Sequence, residues 1–153
     1  MSRRLPESAI ASYLAVMALH LIKLVVGCDS VEELEARGHE FTKAEGVWKV
    51  RTRSTPVRAD ELVEAGSIYR VIKGVILCRQ RILQIDTVGE GRAGRCEITV
   101  SPEMVAVAPT PKRPFQGWRY LPGHEAPEDM AHGAVAEAMP TALALQLREL
   151  GAW

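Results

Sequence analysis

The sequence predicts a single compact domain of the α+β class. Its 153 residues, 47% apolar and 25% charged, are enough to bury one core and too few for two comfortable domains. Short runs with a strand's period of two outnumber the segments with helical signals, and glycines and prolines separate most of these elements. No internal repeat or low-complexity tract interrupts this pattern.

The first strand defines where the domain is expected to begin. Residues 18–26 form a complete apolar strand that ends in a turn at Gly27. Met17 is therefore the expected start, and residues 1–16 are expected to be a poorly anchored or non-native extension. The single α+β domain is then residues 17–153.

A helix is expected directly after this strand. Asp29 and Ser30 form an N-cap signal, and acidic residues follow in the first turn, where the helix dipole favours them. These signals predict a helix over residues 30–37 that ends at Gly38. Residues 39–46 are expected to be a loop.

Residues 47–53 alternate with the period of a strand. This periodicity places Lys49, Arg51 and Arg53 on one face and the apolar residues on the other. The sequence therefore predicts a strand with a basic face.

A second helix and a hairpin follow. A proline near the first turn predicts a helix over residues 57–65, and Gly66 is expected to end it. Two strands, residues 67–73 and 75–86, are expected to be joined tightly around Gly74.

The second hairpin strand carries Arg79 and Arg81 inside an apolar run. In a simple alternation both arginines share a face with apolar side chains, which predicts a bulge or a strand that leaves the core edge. This irregularity is either functional or a long strand that overhangs its sheet with two solvated arginines.

The remaining elements are less regular. The sequence predicts a turn over residues 89–94, a strand over 95–100, and a connector over 102–111 that holds at most a short strand. Residues 122–133 are polar and loose, and residues 140–150 are expected to form a helix.

The densest chemical signal is the stretch of residues 112–121, called here the decapeptide. It combines three of the chain's eight aromatic rings with three permanent positive charges, namely Phe115, Trp118 and Tyr120 with Lys112, Arg113 and Arg119. Stacking on a ring is worth roughly 1–3 kcal/mol per base, and basic side chains neutralise phosphates, so a nucleotide or single-stranded nucleic acid fits this chemistry. The alternative is a strand that buries its rings and keeps its basic residues solvated.

The charges are unevenly distributed, although the formal net charge is zero. Residues 49–119 hold thirteen Lys/Arg and seven Asp/Glu, whereas the remainder holds six and twelve. This asymmetry predicts either a basic face on an otherwise acidic protein or two halves that neutralise each other.

Cysteine usage favours a reducing, cytoplasmic compartment. The three cysteines are Cys28, Cys78 and Cys96. They cannot all pair, and no two have a zinc-ligand or redox spacing.

The apolar run at residues 9–26 is interrupted by His20 and Lys23 and falls short of the ~20 residues that a membrane span needs, so neither a span nor a signal peptide is expected.

Catalytic and metal-binding patterns are few. Cys28, Asp29 and His20 contain a nucleophile, an acid and a base, but a cysteine at a strand end beside an N-cap is explained without catalysis. The other histidines form no pair at a metal spacing, so no metal is expected. The glycines of residues 89–94 have a dinucleotide-binding spacing but lead into a strand rather than a helix, so no cofactor is expected either.

Six strings together point to a known family. They are HLIKL at 20–24, GCDS at 27–30, GSIY at 66–69, VIKGVI at 71–76, RQRIL at 79–83 and RPFQGWRYL at 113–121. Over residues 17 to about 150 the chain resembles the bacterial family labelled domain of unknown function 1489. Members of that family begin near Met17 and carry an aromatic residue at the position of Arg70, so this chain has one fewer candidate stacking ring. The family name implies no activity.

The order of elements also resembles the PUA-like superfamily, which includes ASCH and EVE domains. That resemblance implies a small mixed, partly closed β-barrel with flanking helices, and a cleft that binds RNA or modified bases. The cleft would be lined by Lys49, Arg51, Arg53, Tyr69, Lys73, Trp118, Arg119 and Tyr120. The candidate ligand-binding residues are Arg51, Arg53, Tyr69, Arg79, Arg81, Arg113, Trp118, Arg119 and Tyr120.

Three hypotheses from different classes follow. The first is a module that binds RNA or a modified nucleobase, in which Trp118 or Tyr120 stacks on a base. The second is a small hydrolase acting on a nucleoside-like amide, with Lys73 as a catalytic base activated by burial beside the arginines. The third is an interaction scaffold whose basic half meets an acidic partner or another copy of the chain.

Overall fold

The structure, a computed structural model, describes residues 17–89 and 94–130. In chain order, the elements within these ranges are β1 Leu19–Leu24, α1 Val31–Glu45, β2 Trp48–Thr52, α2 Ala59–Ala65, β3 Ser67–Ile72, β4 Val75–Val88, β5 Arg95–Pro111, β6 Trp118–Pro122 and a short 3-10 helix Gly123–Glu125. The predicted α+β class is confirmed. The predictions for residues 1–16 and 140–150, and for most of the turn at 89–94, lie outside the described residues.

The six strands form one mixed sheet in the order β2-β5-β4-β3-β1-β6. β1 and β3 are parallel, and every other neighbouring pair is antiparallel. The edge strands β2 and β6 do not pair with each other, so the predicted partly closed barrel is wrong and the sheet stays open. Instead, the segment between β2 and α2 reaches β6 through two hydrogen bonds, from Trp118 Nε1 to the Ser54 carbonyl (2.8 Å) and from the Arg58 backbone N–H to the Tyr120 hydroxyl (3.1 Å).

The predicted irregularity of β4 is confirmed. Its pairing with β5 shifts register three times, between Ile76 and Cys78 and on both sides of Ile82. β5 itself runs for 17 residues, so the connector predicted over 102–111 is wrong. A proline inside this stretch indicated a break, but the shifts in register let β5 continue past it along β4.

Two apolar clusters lie on opposite faces of the sheet. The larger one is covered by both helices through Leu34 and Leu62. The smaller one lies on the other face and is covered by Phe115 and Ala126, which belong to the chain on either side of β6. Adjacent residues of one strand point to opposite faces and therefore belong to different clusters. Ile68, for example, belongs to the larger cluster and Tyr69 to the smaller one.

Helix α1 is longer than predicted, and Gly38 lies inside it rather than at its end. At the N-terminus the N-cap Ser30 accepts through Oγ from the Glu33 backbone N–H (3.0 Å), and Glu33 Oε2 accepts from the N–H of Asp29, the residue before the cap (2.8 Å). The helix ends at Gly46, whose φ of 87° is the left-handed conformation that favours glycine. The predicted loop over 39–46 is therefore wrong.

Gly38 has a packing role instead. A Cβ built on it would lie 2.5 Å from Cε3 of Trp48 and closer still to two other atoms of that ring. Glycine at this position thus lets the ring of Trp48, the first residue of β2, approach the helix backbone.

Helix α2 and the hairpin follow the prediction closely. α2 begins at Ala59, two residues later than predicted, and Gly66 ends it by donating its N–H to the Leu62 carbonyl (2.8 Å). The turn between β3 and β4 is formed by Lys73 and Gly74, with φ values of 48° and 80°. Two successive positive φ values are what a two-residue hairpin turn of type I′ requires.

Candidate ligand-binding surface

The residues predicted to line one cleft lie in several separate places. Arg51 projects from β2 at one edge of the sheet, where its Nε lies 3.0 Å from Glu97 Oε2 and its guanidinium lies 5.5 Å from the centre of the Phe41 ring. Lys49 also pairs with Glu97, at 3.7 Å. Arg53 follows β2 directly and is exposed. The basic face of β2 is therefore confirmed, but Glu97 neutralises part of its charge.

Tyr69 and Arg79 lie on the face away from the helices, in a polar network. Arg79 donates through Nε and Nη2 to the two carboxylate oxygens of Asp129 (2.7 and 2.6 Å) and through Nη1 to Ser67 Oγ (2.9 Å). The Ser67 backbone N–H donates to His20 Nδ1 (2.9 Å), and the His20 ring meets the Tyr69 ring edge-on at 5.1 Å. Burial raises the pKa of Tyr69 to about 12. Tyr69 is only 1% exposed, so its ring offers no stacking face at the surface.

Arg81 holds the end of helix α2. Its Nη2 donates to the carbonyls of Val63 and Glu64 (2.7 Å each), and its Nη1 donates to the Gly66 and Ile82 carbonyls. Burial lowers the pKa of Arg81, and the nearby charge of Arg79 lowers it further. These contacts use the last carbonyls of the helix, which have no partner within it, so Arg81 has a structural role.

Lys73 occupies the hairpin turn rather than a buried position. Its side chain is 52% exposed, and its Nζ lies 3.4 Å from Asp29 Oδ1. The prediction that Lys73 is buried, on which its role as a base depended, is therefore wrong.

The decapeptide divides between two faces of the sheet because β6 alternates. Trp118 and Tyr120 point toward the helix-covered face and pack against the larger cluster. Arg119 points the other way, with its guanidinium 5.1 Å from the centre of the Phe115 ring. Arg113 lies before the strand and is exposed. Phe115 is buried, as the structural interpretation of the decapeptide predicts, whereas Trp118 and Tyr120 remain partly exposed.

Trp118 and Tyr120 form an ordered aromatic pair on an edge strand. Their ring centres are 5.0 Å apart, and the ring planes are inclined by 71°. The hydrogen bonds to Ser54 and Arg58 hold the polar ends of both rings. The Arg58 guanidinium lies 5.8 Å from the centre of the Tyr120 ring and also binds both carboxylate oxygens of Glu61.

Two further cations that the sequence predictions did not place in the site, Lys23 and Arg70, lie on the same face of the sheet as this pair. Lys23 of β1 is directly opposite Trp118 of β6 and is also in register with Arg70 of β3. Residues in register on neighbouring strands point to the same face, so the three side chains form a row across the sheet. We call Lys23, Arg58, Trp118 and Tyr120 the β6 surface.

The sequence contained a signal for both of these cations. Lys23 interrupts the apolar run of β1 (LHLIKL), and Arg70 interrupts the apolar run of β3 (SIYRVI). Burial lowers the pKa of Lys23, and the adjacent charge of Arg70 lowers it further. Among the described residues, no group of three metal-ligating side chains is present.

The fold and this surface define an α+β domain with an aromatic and basic edge. Residues 21–153 match the family described as protein of unknown function (DUF1489), and the chain belongs to that family. The family resemblance predicted from the six strings is confirmed. No curated protein and no solved structure matches the chain, and the PUA-like resemblance stays a prediction. Neither described helix has the length and apolar character that crossing a bilayer requires.

Proposed function

We propose that the protein is a module that binds single-stranded RNA or a modified nucleotide through the β6 surface. The observation that carries the proposal is the Trp118–Tyr120 pair, partly exposed on an edge strand beside Lys23. Stacking on such a ring is worth roughly 1–3 kcal/mol per base and is available to every base.

Anchoring of the two rings supports this function. The bond from Trp118 Nε1 to the Ser54 carbonyl and the bond from the Arg58 N–H to the Tyr120 hydroxyl restrict both side chains before any ligand arrives. A ring that is already ordered loses little conformational freedom on binding. Val57, in the same segment, is 97% exposed and provides additional apolar surface.

The charge at this edge favours an anionic ligand. Glu61 neutralises much of Arg58, but no carboxylate of the described residues lies within ion-pair distance of Lys23. We also place the module in a reducing compartment such as the cytoplasm, a proposal supported by three buried cysteines that are all unpaired.

Fluorescence anisotropy with short labelled single-stranded RNA, duplex RNA and DNA, at two salt concentrations, tests the function. We expect micromolar or tighter binding to single strands that weakens steeply with salt. Trp118→Ala should weaken it by about tenfold or more, whereas Trp118→Phe, which keeps a ring, should retain most of the affinity.

A matched charge control is Lys112→Met, which removes a cation of the decapeptide outside the β6 surface. It should bind almost as well as the wild-type protein. If folded Trp118→Ala binds equally well, the stacking role is refuted. If no nucleic acid binds at low salt and the protein self-associates in a salt-sensitive way, the scaffold hypothesis replaces this one.

No observation favours the hydrolase hypothesis, because Lys73 is exposed in a turn and paired with Asp29.

A further inference from the structure

Among the described residues, Arg70 is a buried cation without a counter-charge. It is 6% exposed, and its one hydrogen bond to a described residue is a long one from Nη1 to Gln80 Oε1 (3.3 Å). Its Nε has no partner among the described residues. Gln80 is itself held by a bond from its amide to the Ser101 carbonyl (3.1 Å), so it cannot turn to offer a second acceptor without breaking that bond.

The titratable groups around Arg70 do not neutralise it. They are the Cys78 and Cys28 thiols and the Arg37 guanidinium, together with Lys23 on the neighbouring strand. Burial raises the pKa of Cys78 to about 12, so this thiol is protonated at neutral pH. Cys28 contributes no negative charge to a hydrogen bond with Arg70, because its S–H donates to the Ser30 carbonyl (3.2 Å).

No carboxylate of residues 17–89 or 94–130 lies within 4.0 Å of Arg70 or Lys23. A buried guanidinium with free donors is unfavourable unless an anion satisfies it. Two cations in register on adjacent strands, whose backbones lie about 4.8 Å apart, also repel each other. A single oxyanion between them would satisfy the free Arg70 Nε–H and remove this repulsion.

We infer that Lys23 and Arg70 form an oxyanion-binding site that takes the phosphate monoester of a nucleotide whose base stacks on Trp118. The nucleotide part of this inference rests on the proposed function. A phosphate between β1 and β3 lies about one and a half strand spacings from Trp118, roughly 7 Å, which a mononucleotide spans. A terminal phosphate reaches a largely buried guanidinium, whereas an internal phosphodiester carries sugars on both sides.

Thermal unfolding and calorimetric titration of the full chain with inorganic phosphate, adenosine and adenosine 5′-monophosphate test the site. We expect phosphate to raise the Tm and the monophosphate to bind at least about tenfold tighter than adenosine, the effect of one charge-assisted hydrogen bond. Both effects should be lost in Arg70→Met and Lys23→Met and retained in Lys112→Met.

Arg70→Met also separates binding from a structural role. Without phosphate this variant should have a Tm equal to or above that of the wild-type protein, because it removes a buried, unpaired charge while keeping an apolar stem. A merely structural arginine would give a lower Tm and an unchanged response to phosphate, which would overturn the inference. Should Arg70→Met not fold, Lys23→Met, at a half-buried position on β1, makes the same test.

The remaining outcomes distinguish the two proposals. Equal affinity of the wild-type protein for adenosine and its monophosphate, with no phosphate effect on Tm, refutes the oxyanion site even if RNA binds through Trp118. A phosphate effect that depends on Arg70, without binding of any nucleoside or RNA, supports the oxyanion site and refutes the nucleic-acid function.

Discussion

Gly38 is the position at which local helix preference and tertiary packing oppose each other most directly. Alanine is favoured over glycine inside a helix by about 1 kcal/mol. However, an added Cβ would lie within 2.5 Å of three atoms of the Trp48 ring, which is 7% exposed and has little room to move. Overpacking of a core costs about 1–3 kcal/mol, and contacts this close place the cost at the upper end. We therefore expect Gly38→Ala to lower the free energy of unfolding by about 2 kcal/mol.

Urea unfolding measures this change directly. With an m-value of about 2 kcal/mol/M, the midpoint should fall by about 1 M at unchanged m. The matched control is the same substitution in a Trp48→Leu background, where the ring is gone. There Gly38→Ala should be neutral or stabilise by up to about 1 kcal/mol. A single variant Gly38→Ala at least as stable as the wild-type protein would refute the packing role.

Two further predictions concern the polar groups of β3 and β4. Arg81→Met should lower the free energy of unfolding by about 1–3 kcal/mol, because carbonyls at the end of α2 lose their donor. Arg81→Lys should recover only part of the lost stability. An unchanged urea midpoint for Arg81→Met would contradict the structural role of Arg81. The raised pKa of Tyr69, about 12 against roughly 10 in an unfolded chain, means that its contribution to stability is complete below pH ~10 and is lost as the pH rises toward 12. Tyr69→Phe should flatten the fall in stability over that range, with the remaining slope due to groups such as Cys78; an equally steep fall would show that Tyr69 ionises freely in the folded protein.

The two faces of the sheet have different kinds of polar group. On the face away from the helices, Arg79 is neutralised by Asp129 through two hydrogen bonds, and its third contact is Ser67. On the helix-covered face, Arg70 lacks any such carboxylate among the described residues. Two arginines on neighbouring strands of one sheet therefore have contrasting environments: Arg79 is neutralised by a carboxylate, whereas Arg70 keeps a buried Nε–H without a partner among the described residues.

The elements that the sequence predicted well are those whose signals are local. β1, β2 and the β3–β4 hairpin follow from strand periodicity, and the turn at Lys73 and Gly74 follows from glycine between two apolar runs. The start of α1 follows from Ser30, whose Oγ accepts from the Glu33 N–H, and from Glu33, whose carboxylate accepts from the Asp29 N–H. In each case the stabilising contacts connect residues a few positions apart.

Tertiary structure decided the features whose partners lie far away along the chain. A glycine inside a helix normally weakens it, and the ring of Trp48, which leaves no room for a Cβ, explains why α1 has glycine at position 38. Likewise, β5 continues through a proline because β4 shifts register beside it.

The candidate site divides in the same way. The sequence alone determined that the decapeptide carries rings and cations, and its alternation already implied that Arg119 and Trp118 would point in opposite directions. It did not determine which cations would lie beside the rings. Strand order did so, because β1 lies between β6 and β3 and thereby aligns Lys23 with both Trp118 and Arg70. Pairing between strands far apart in sequence depends on the whole sheet, and no local signal specifies it.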